Sequence, residues 1–211
     1  MNQQPTETPQ KRLVVAITGA SGAVFGVRIL EILRDIPDIE THLVISKAGH
    51  LTLAAECDMK ISDVADLADV VHVPTNIGAS ISSGSFRADG MIVVPCTTST
   101  AAKIASGITE DLISRAADVM LKERRPLVIA IRENPLHAGH LESLLKLARL
   151  GAVIFPPTPS FYHNPKSIQD LVDQSCMRML DQLGVHLETA PRWGETGGIA
   201  AFGDKQGGVA G

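Results

Sequence analysis

The sequence predicts an α/β fold in three layers, with a central, mostly parallel β-sheet sandwiched between helices. Three observations lead there. Short β-branched runs alternate with helical patterns along the 211 residues. The runs are almost continuously apolar, as strands buried on both faces must be. The first run, "RLVVAIT", passes directly into a glycine-rich turn, "GASGAVFG", that opens a helix.

Each element has its own justification. Residues 12–18, "RLVVAIT", form a buried strand. Residues 24–35, "VFGVRILEILRD", place Val27, Ile29, Leu30 and Leu33 on roughly one helical face. "ETHLVIS" (40–46) is a second strand and "AGHLTLAAECD" (48–58) a second helix. "GMIVVPC" (90–96) is the third strand, followed by helices in "STAAKIASGI" (99–108) and "EDLISRAADVMLKERR" (110–125). "PLVIAIRE" (126–133) is a strand, "GHLESLLKLARLG" (139–151) a helix closed by Gly151, and "AVIFPP" (152–157) a strand. "SIQDLVDQSCMRMLDQLG" (167–184) is the last long helix, with Gly184 at its C-cap. Residues 1–11 are expected to be a flexible leader, 12–195 a single α/β domain and 196–211 a glycine-rich tail.

Bulk properties narrow the function. Hydrophobic residues make up 45% and aromatics 3%, so the core rests on Val, Ile, Leu and Ala. A net charge of −4 gives no reason to expect nucleic acid or an anionic membrane as partner. No apolar run approaches the ~20 residues of a membrane span, and the N-terminus lacks a signal-peptide core. The expectation is a cytoplasmic protein. Cys57, Cys96 and Cys176 form no C-x-x-C motif and read as small buried hydrophobes.

In parallel α/β sheets the ligand sits beyond the carboxyl ends of the strands. That selects Gly19-Ala20-Ser21, Ser46-Lys47, the run Cys96 to Thr100, Arg132-Glu133 and residues 156–162. A dinucleotide fingerprint needs G-x-G-x-x-G and an acid ending the second strand. Here the glycines stand at 19, 22 and 26, and the second strand ends in Ile45-Ser46-Lys47. A loop of small residues entering a helix N-terminus still suits an anion, and the hydroxyl run Thr97, Thr98, Ser99, Thr100 opens a further helix. A mononucleotide such as FMN fits these turns better than NAD. The alternative is that Thr97 and Ser99 are only helix caps.

The blocks "ITGASGA", "ETHLVISKA", "SGSF", "MIVVPC", "RAADVMLKERRPL", "FYHNP" and the late "RW" occur in one order across residues 12–195. In this the chain resembles the UbiX-type flavin prenyltransferases. The resemblance implies a Rossmann-like or flavodoxin-like sheet that binds FMN between subunits and assembles as trimers packed into a homododecamer. It implies transfer of the dimethylallyl group of dimethylallyl phosphate to N5 and C6 of reduced FMN, without metal, to give prenylated FMN for a UbiD-type decarboxylase. The implied FMN contacts are Gly19, Ala20, Ser21, Ser46, Thr97, Thr98, Ser99, Thr100 and Arg132. The implied donor contacts are Lys122, Arg132, Glu133, Tyr162 and Arg178, and Glu56 and Trp193 match positions near the substrate.

Ionising an allylic C–O bond leaves a phosphate and an allyl cation, so the site needs preorganised positive charge and donors. Arg132, Lys122, Arg178 and Tyr162 supply that set. They are so far apart in sequence that only the fold, or a neighbouring subunit, can unite them. Trp193 offers an aromatic wall for the cation, and Glu133 can shuttle a proton. Plainer readings exist for most of these residues. Lys122 also reads as part of a solvated helix end, Arg178 as a surface partner of Asp173 or Asp181, and Tyr162 as a packing corner. His137 and His140 lack an evident third metal ligand, and no His is placed to activate Cys96. A flavin-dependent decarboxylase of cysteine derivatives would carry P-x-M-N-x-x-M-W where this chain has "PPTPSFYHNP". A non-catalytic FMN carrier is the third reading. Ser99 stands where many relatives have lysine, and Glu110-Asp111 where Asn is common.

Overall fold

A computed structural model describes residues 11–189 and 192. The leader (apart from Lys11), the tail from 196 onward and Trp193 lie outside the described residues. The chain runs β1 (Lys11–Ile17), α1 (Ala23–Arg34), β2 (Ile39–Ile45), α2 (Lys47–Glu56), α3 (Ile61–Ala65) and β3 (Val70–His72). After a 3₁₀ turn at Ser80–Ser82 come β4 (Gly90–Cys96), α4 (Thr98–Ser106), α5 (Leu112–Lys122), β5 (Leu127–Ile131), α6 (Ala138–Arg149), β6 (Val153–Ile154) and α7 (Ile168–Asp181). The six strands are parallel throughout, in the order β3-β2-β1-β4-β5-β6. The order reverses between β1 and β4, and in such sheets the crevice for a ligand opens there.

Strand alternation builds two cores. Leu13, Val15 and Ile17 face α1, α2 and α7 and pack with Leu30, Leu33, Leu53 and Met179. Val14, Ala16 and Val93 face the other way and pack with Ile104, Leu112, Met120 and Leu147 of α4, α5 and α6. All seven residues of β4 are buried, as a central parallel strand requires. Pro95 has no N–H for the ladder, and the β4–β5 register shifts between Val93 and Cys96.

Several boundaries differ from the sequence reading for local reasons. Lys11 belongs to β1, where its ammonium donates to Leu183 O at 2.6 Å. The last strand spans only Val153–Ile154, because Pro156 and Pro157 carry no N–H to extend it. The helix expected over 110–125 starts at Leu112, capped by Asp111, and Arg124 ends it in the left-handed region at φ 55. Gly151 and Gly184 do take left-handed conformations (φ 99 and 67), but Leu150 and Gln182 are the caps and each glycine follows. The sequence reading did not foresee α3, β3 or the 3₁₀ turn. Among the described residues, no helix is long and apolar enough to cross a membrane.

Candidate active site

The site grows from the join between β1 and β4. Thr18 is 1% exposed. Its hydroxyl donates to Pro95 O at 2.7 Å and accepts from Thr97 N at 2.9 Å, so one side chain ties together the carboxyl ends of both strands. Close approach then fixes the loop after β1. A Cβ on Gly19 would collide with that of Ala48, and one on Gly49 would lie 2.6 Å from Ile17 O. The first turn of α2 therefore lies directly against the glycine loop. Gly22, at φ 99, makes the turn into α1 in a conformation that other residues adopt only at a cost.

Glu56, the last residue of α2, reaches back over this turn. One carboxylate oxygen accepts from Gly22 N at 2.7 Å and from Ala23 N at 3.0 Å, the first donors of α1. Burial alone would raise its pKa. A hydrogen bond from Ser21, the two backbone N–H groups and the charge of Arg132 outweigh that and hold the carboxyl below the ordinary value. The anion position expected at the start of α1 is thus filled by the chain's own carboxylate. The neighbouring helix starts differ. Ser46 caps α2 by accepting from Gly49 N at 2.9 Å. Thr97 caps α4 by accepting from Thr100 N at 3.1 Å while donating to Thr100 Oγ1 at 2.9 Å. Those hydroxyls serve the helices, as the plainer reading allows. Among the described residues no hydrogen bond engages the backbone N–H of Lys47, Ala48, Thr98 or Ser99. These N–H groups remain as donors for an anion.

Arg132 follows β5 directly, with its backbone N–H on Cys96 O at 3.0 Å. Its Cγ lies 4.0 Å from where a Cβ on Gly22 would stand. Glu133 is exposed beside it and accepts from Asn134 N at 3.1 Å. One edge of one chain therefore gathers Gly19, Ala20, Ser21, Ser46, Glu56, Thr97, Thr98, Ser99, Thr100, Arg132 and Glu133.

The remaining predicted residues lie elsewhere in the chain. Lys122 ends α5, at the amino end of β5, where it pairs with Glu123. Arg178 sits in the last turn of α7 and holds Asp181 at 2.7 Å, the plainer reading of that residue. Asp181 also receives His186 at 2.8 Å and Arg192 at 2.8 Å. Burial opposes its charge, but these three partners bring its pKa down to about 2. Tyr162 lies in the loop between β6 and α7, and its hydroxyl oxygen is 3.2 Å from Nε2 of the buried Gln174. Its ring meets His163 edge-on at 5.5 Å, and both His163 ring nitrogens are buried without a hydrogen-bond partner among the described residues. His137 and His140 stack ring on ring at 3.5 Å. No group of three or more His, Cys, Asp or Glu among the described residues could hold a metal ion. Cys96 is fully buried, and burial pushes its thiol pKa far up, which removes it as a nucleophile.

Sequence reasoning missed Thr18, since a hydroxyl between an apolar strand and a glycine turn reads as an ordinary strand end. It found Glu56 only by resemblance, because 34 residues separate Glu56 from its partner Gly22.

The family model described as Flavoprotein matches residues 1–180. The flavin prenyltransferase UbiX of Escherichia coli K12 is 52% identical over 185 residues, covering 87% of this chain and 98% of its own. The crystal structure of AnUbiX (PadA1) in complex with FMN and dimethylallyl pyrophosphate superposes with a TM-score of 0.86 at 53% identity, covering 88% of this chain and 98% of that one. A dodecameric FMN-dependent UbiX-like decarboxylase from Escherichia coli O157:H7 gives a TM-score of 0.85 at 48% identity, covering 87% and 100%.

Proposed function

The chain belongs to the UbiX-type flavin prenyltransferase family, and on that premise we propose that it joins the dimethylallyl group of dimethylallyl phosphate to N5 and C6 of reduced FMN. The product, prenylated FMN, passes to a UbiD-type decarboxylase. The observation that carries this reading is the assembled edge at the β1–β4 join. It combines the unengaged N–H groups at the starts of α2 and α4 with the Ser21–Glu56 pair and the Arg132 guanidinium.

These residues fit FMN. The donors at the starts of α2 and α4 suit its phosphate, and Gly19, Ala20 and Ser21 present no bulky side chain to a flat ring near Arg132. Reduced FMN supplies the electron-rich nitrogen and carbon that take up the allyl group. The chain's residues do the rest. Arg132 sets a planar cationic fork against the phosphate, which leaves with the electron pair of the C–O bond. Ser21, held by the ionised Glu56, presents a hydroxyl that can hand a proton to or from that carboxylate, and Glu133 takes up the proton released when the second carbon bond forms. Lys122, Tyr162 and Arg178 complete the phosphate clamp from neighbouring copies in a trimer-based dodecamer. The site is therefore whole only in the assembly.

The test is anaerobic incubation of the full chain with FMN, a reductant and dimethylallyl phosphate, in the presence and absence of a chelator. Recovered flavin heavier by one isoprene unit, formed equally in both arms, supports the reading. Unchanged flavin in both arms overturns it.

A further inference from the structure

A chain of polar side chains crosses the sheet on the face that carries α4 and α5, away from the edge just described. Arg12 of β1 donates through Nε to Glu40 of β2 at 3.2 Å. The other oxygen of Glu40 lies 2.7 Å from His42 Nε2, and His42 Nδ1 lies 2.9 Å from Nε2 of His72 in β3. His42 is 2% exposed, and the two imidazoles lie nearly parallel, 12° apart. Such a bridge holds one proton. Glu40 is an acceptor only, so His42 Nε2 carries hydrogen, and a single further proton lies between the two rings. One added proton can settle on His72 Nδ1, on the far side of that ring, and leave the bridge intact; only with both rings cationic does N–H face N–H at 2.9 Å, beside a His42 that is 2% exposed.

The chain supports the turn Ser83–Phe86. Phe86 meets His42 edge-on at 5.2 Å, and the Arg12 guanidinium lies 5.1 Å over its ring. Arg125 donates to Phe86 O at 2.7 Å and Gly84 O at 2.8 Å, and Arg115 donates to Ser82 O at 3.1 Å. The turn in turn touches Lys122, since a Cβ on Gly84 would lie 2.5 Å from Lys122 Nζ. Contact is therefore continuous from the imidazole bridge to the lysine. The charged groups around the pair are Glu40 and Arg12 on the strands and Asp89, which takes the Arg12 N–H at 2.8 Å. From α5 and its end, Arg115, Arg125 and the Lys122–Glu123 pair reach the turn rather than the rings.

We propose that Arg12, Glu40, His42 and His72 form a positioning unit for Lys122, in which the imidazole bridge holds the Ser83–Phe86 turn and charging both rings releases it. The consequence for prenyl transfer rests on the reading that Lys122 clamps the donor phosphate. The sign follows from His72, whose pKa is lowered by burial and by the charge of His42 from an ordinary 6.5. The bridged pair carries at most one positive charge and the opened pair carries two, so the opened form binds more protons and is favoured as pH falls.

The experiment is hydrogen exchange, read by peptide mass and corrected for intrinsic rates, on the FMN-loaded full chain at about pH 7.5 and about pH 5.5. Peptides spanning 79–88 and 119–124 should lose roughly tenfold in protection at the lower pH. His72→Gln, whose amide can still bond His42 but cannot become a cation, should lose none. KM for dimethylallyl phosphate should rise toward acid more steeply in the wild type than in H72Q, by a similar factor once the donor's own phosphate titration, common to both, is divided out, with kcat changing less. Equal loss of protection in both proteins, or no loss in either, overturns the proposal. If H72Q does not assemble, histidine ¹⁵N spectra of the wild type decide. A bridging N–H signal lost together with protection supports the proposal, and one that persists to about pH 5.5 overturns it. Absence of prenylated flavin at every pH would sink the transfer reading alone, because the exchange result does not depend on it.

Discussion

Glu56 governs what the glycine loop can do. With its carboxylate on Gly22 N and Ala23 N, a phosphate cannot share the start of α1 without bringing two anions together. The loop is therefore better suited to the flavin ring than to the phosphate. The pKa of Glu56 lies below its ordinary 4.5, so it stays ionised across the neutral range and its contribution is lost only as pH falls through that lowered value. An acid limb near neutral pH must come from another group. Replacing Glu56 with Gln keeps an oxygen for both N–H groups and removes only the proton acceptor. E56Q should fold, bind FMN within about tenfold of wild type and transfer the prenyl group about 10²- to 10⁴-fold more slowly. Flavin fluorescence titration and single-turnover mass analysis separate the two effects. A rate loss matched by an equal loss of FMN affinity would make Glu56 a cap and nothing more.

At the scale of elements, the glycines of α1 and α2 measure how closely the helices must approach the sheet. A Cβ on Gly26 would stand 2.7 Å from Val94 O and 2.9 Å from Ile17 Cδ1, both on strands that end at the site. Gly26→Ala gains helix propensity but must push α1 off β1 and β4, so it should cost about 1–3 kcal/mol net and weaken FMN binding. Denaturant unfolding of the variant checks this, and a stability equal to wild type would mean that α1 can move without strain. The same closeness explains which elements the sequence revealed. β1, β2, β4 and β5 are mostly buried, and the apolar runs Leu13–Ile17, Leu43–Ile45, Met91–Val94 and Leu127–Ile131 announce them. β3 is three residues long, with Val71 52% exposed, and no pattern of period two can establish itself in so short an edge strand. The histidine chain was hidden for a related reason. His42 follows Glu40 and Thr41 in the polar half of β2, where it reads as one more polar residue, and its partner lies in the strand that periodicity could not detect.

The whole molecule poses the question that one chain leaves open. The sequence reading named Lys122, Arg132, Tyr162 and Arg178 as one cationic and phenolic clamp. Their residue types were legible, but their relative placement was not, because it depends on the ends of elements and on contacts between copies. Arg132 lies at the carboxyl end of β5 and Lys122 at the far end of the helix that leads into it. A five-residue strand rises roughly 16 Å, and the side chains do not close that gap, since Lys122 Nζ turns to Glu123 and Gly84 while Arg132 Cγ lies near Gly22. If Lys122 acts on the donor, it does so in a neighbouring copy's site, and the two residues of one reaction come from two chains. Mixing then discriminates. Lys122→Ala and Arg132→Ala should each abolish most transfer as pure assemblies. When the two are unfolded together and reassembled in equal amounts, roughly a quarter of the sites receive an intact lysine from one copy and an intact arginine from the other. Activity should recover to about that fraction. Recovery to nothing, with assembly verified by mass, would place Lys122 and Arg132 in the same chain's site, whereas an active pure variant would remove that residue from the chemistry.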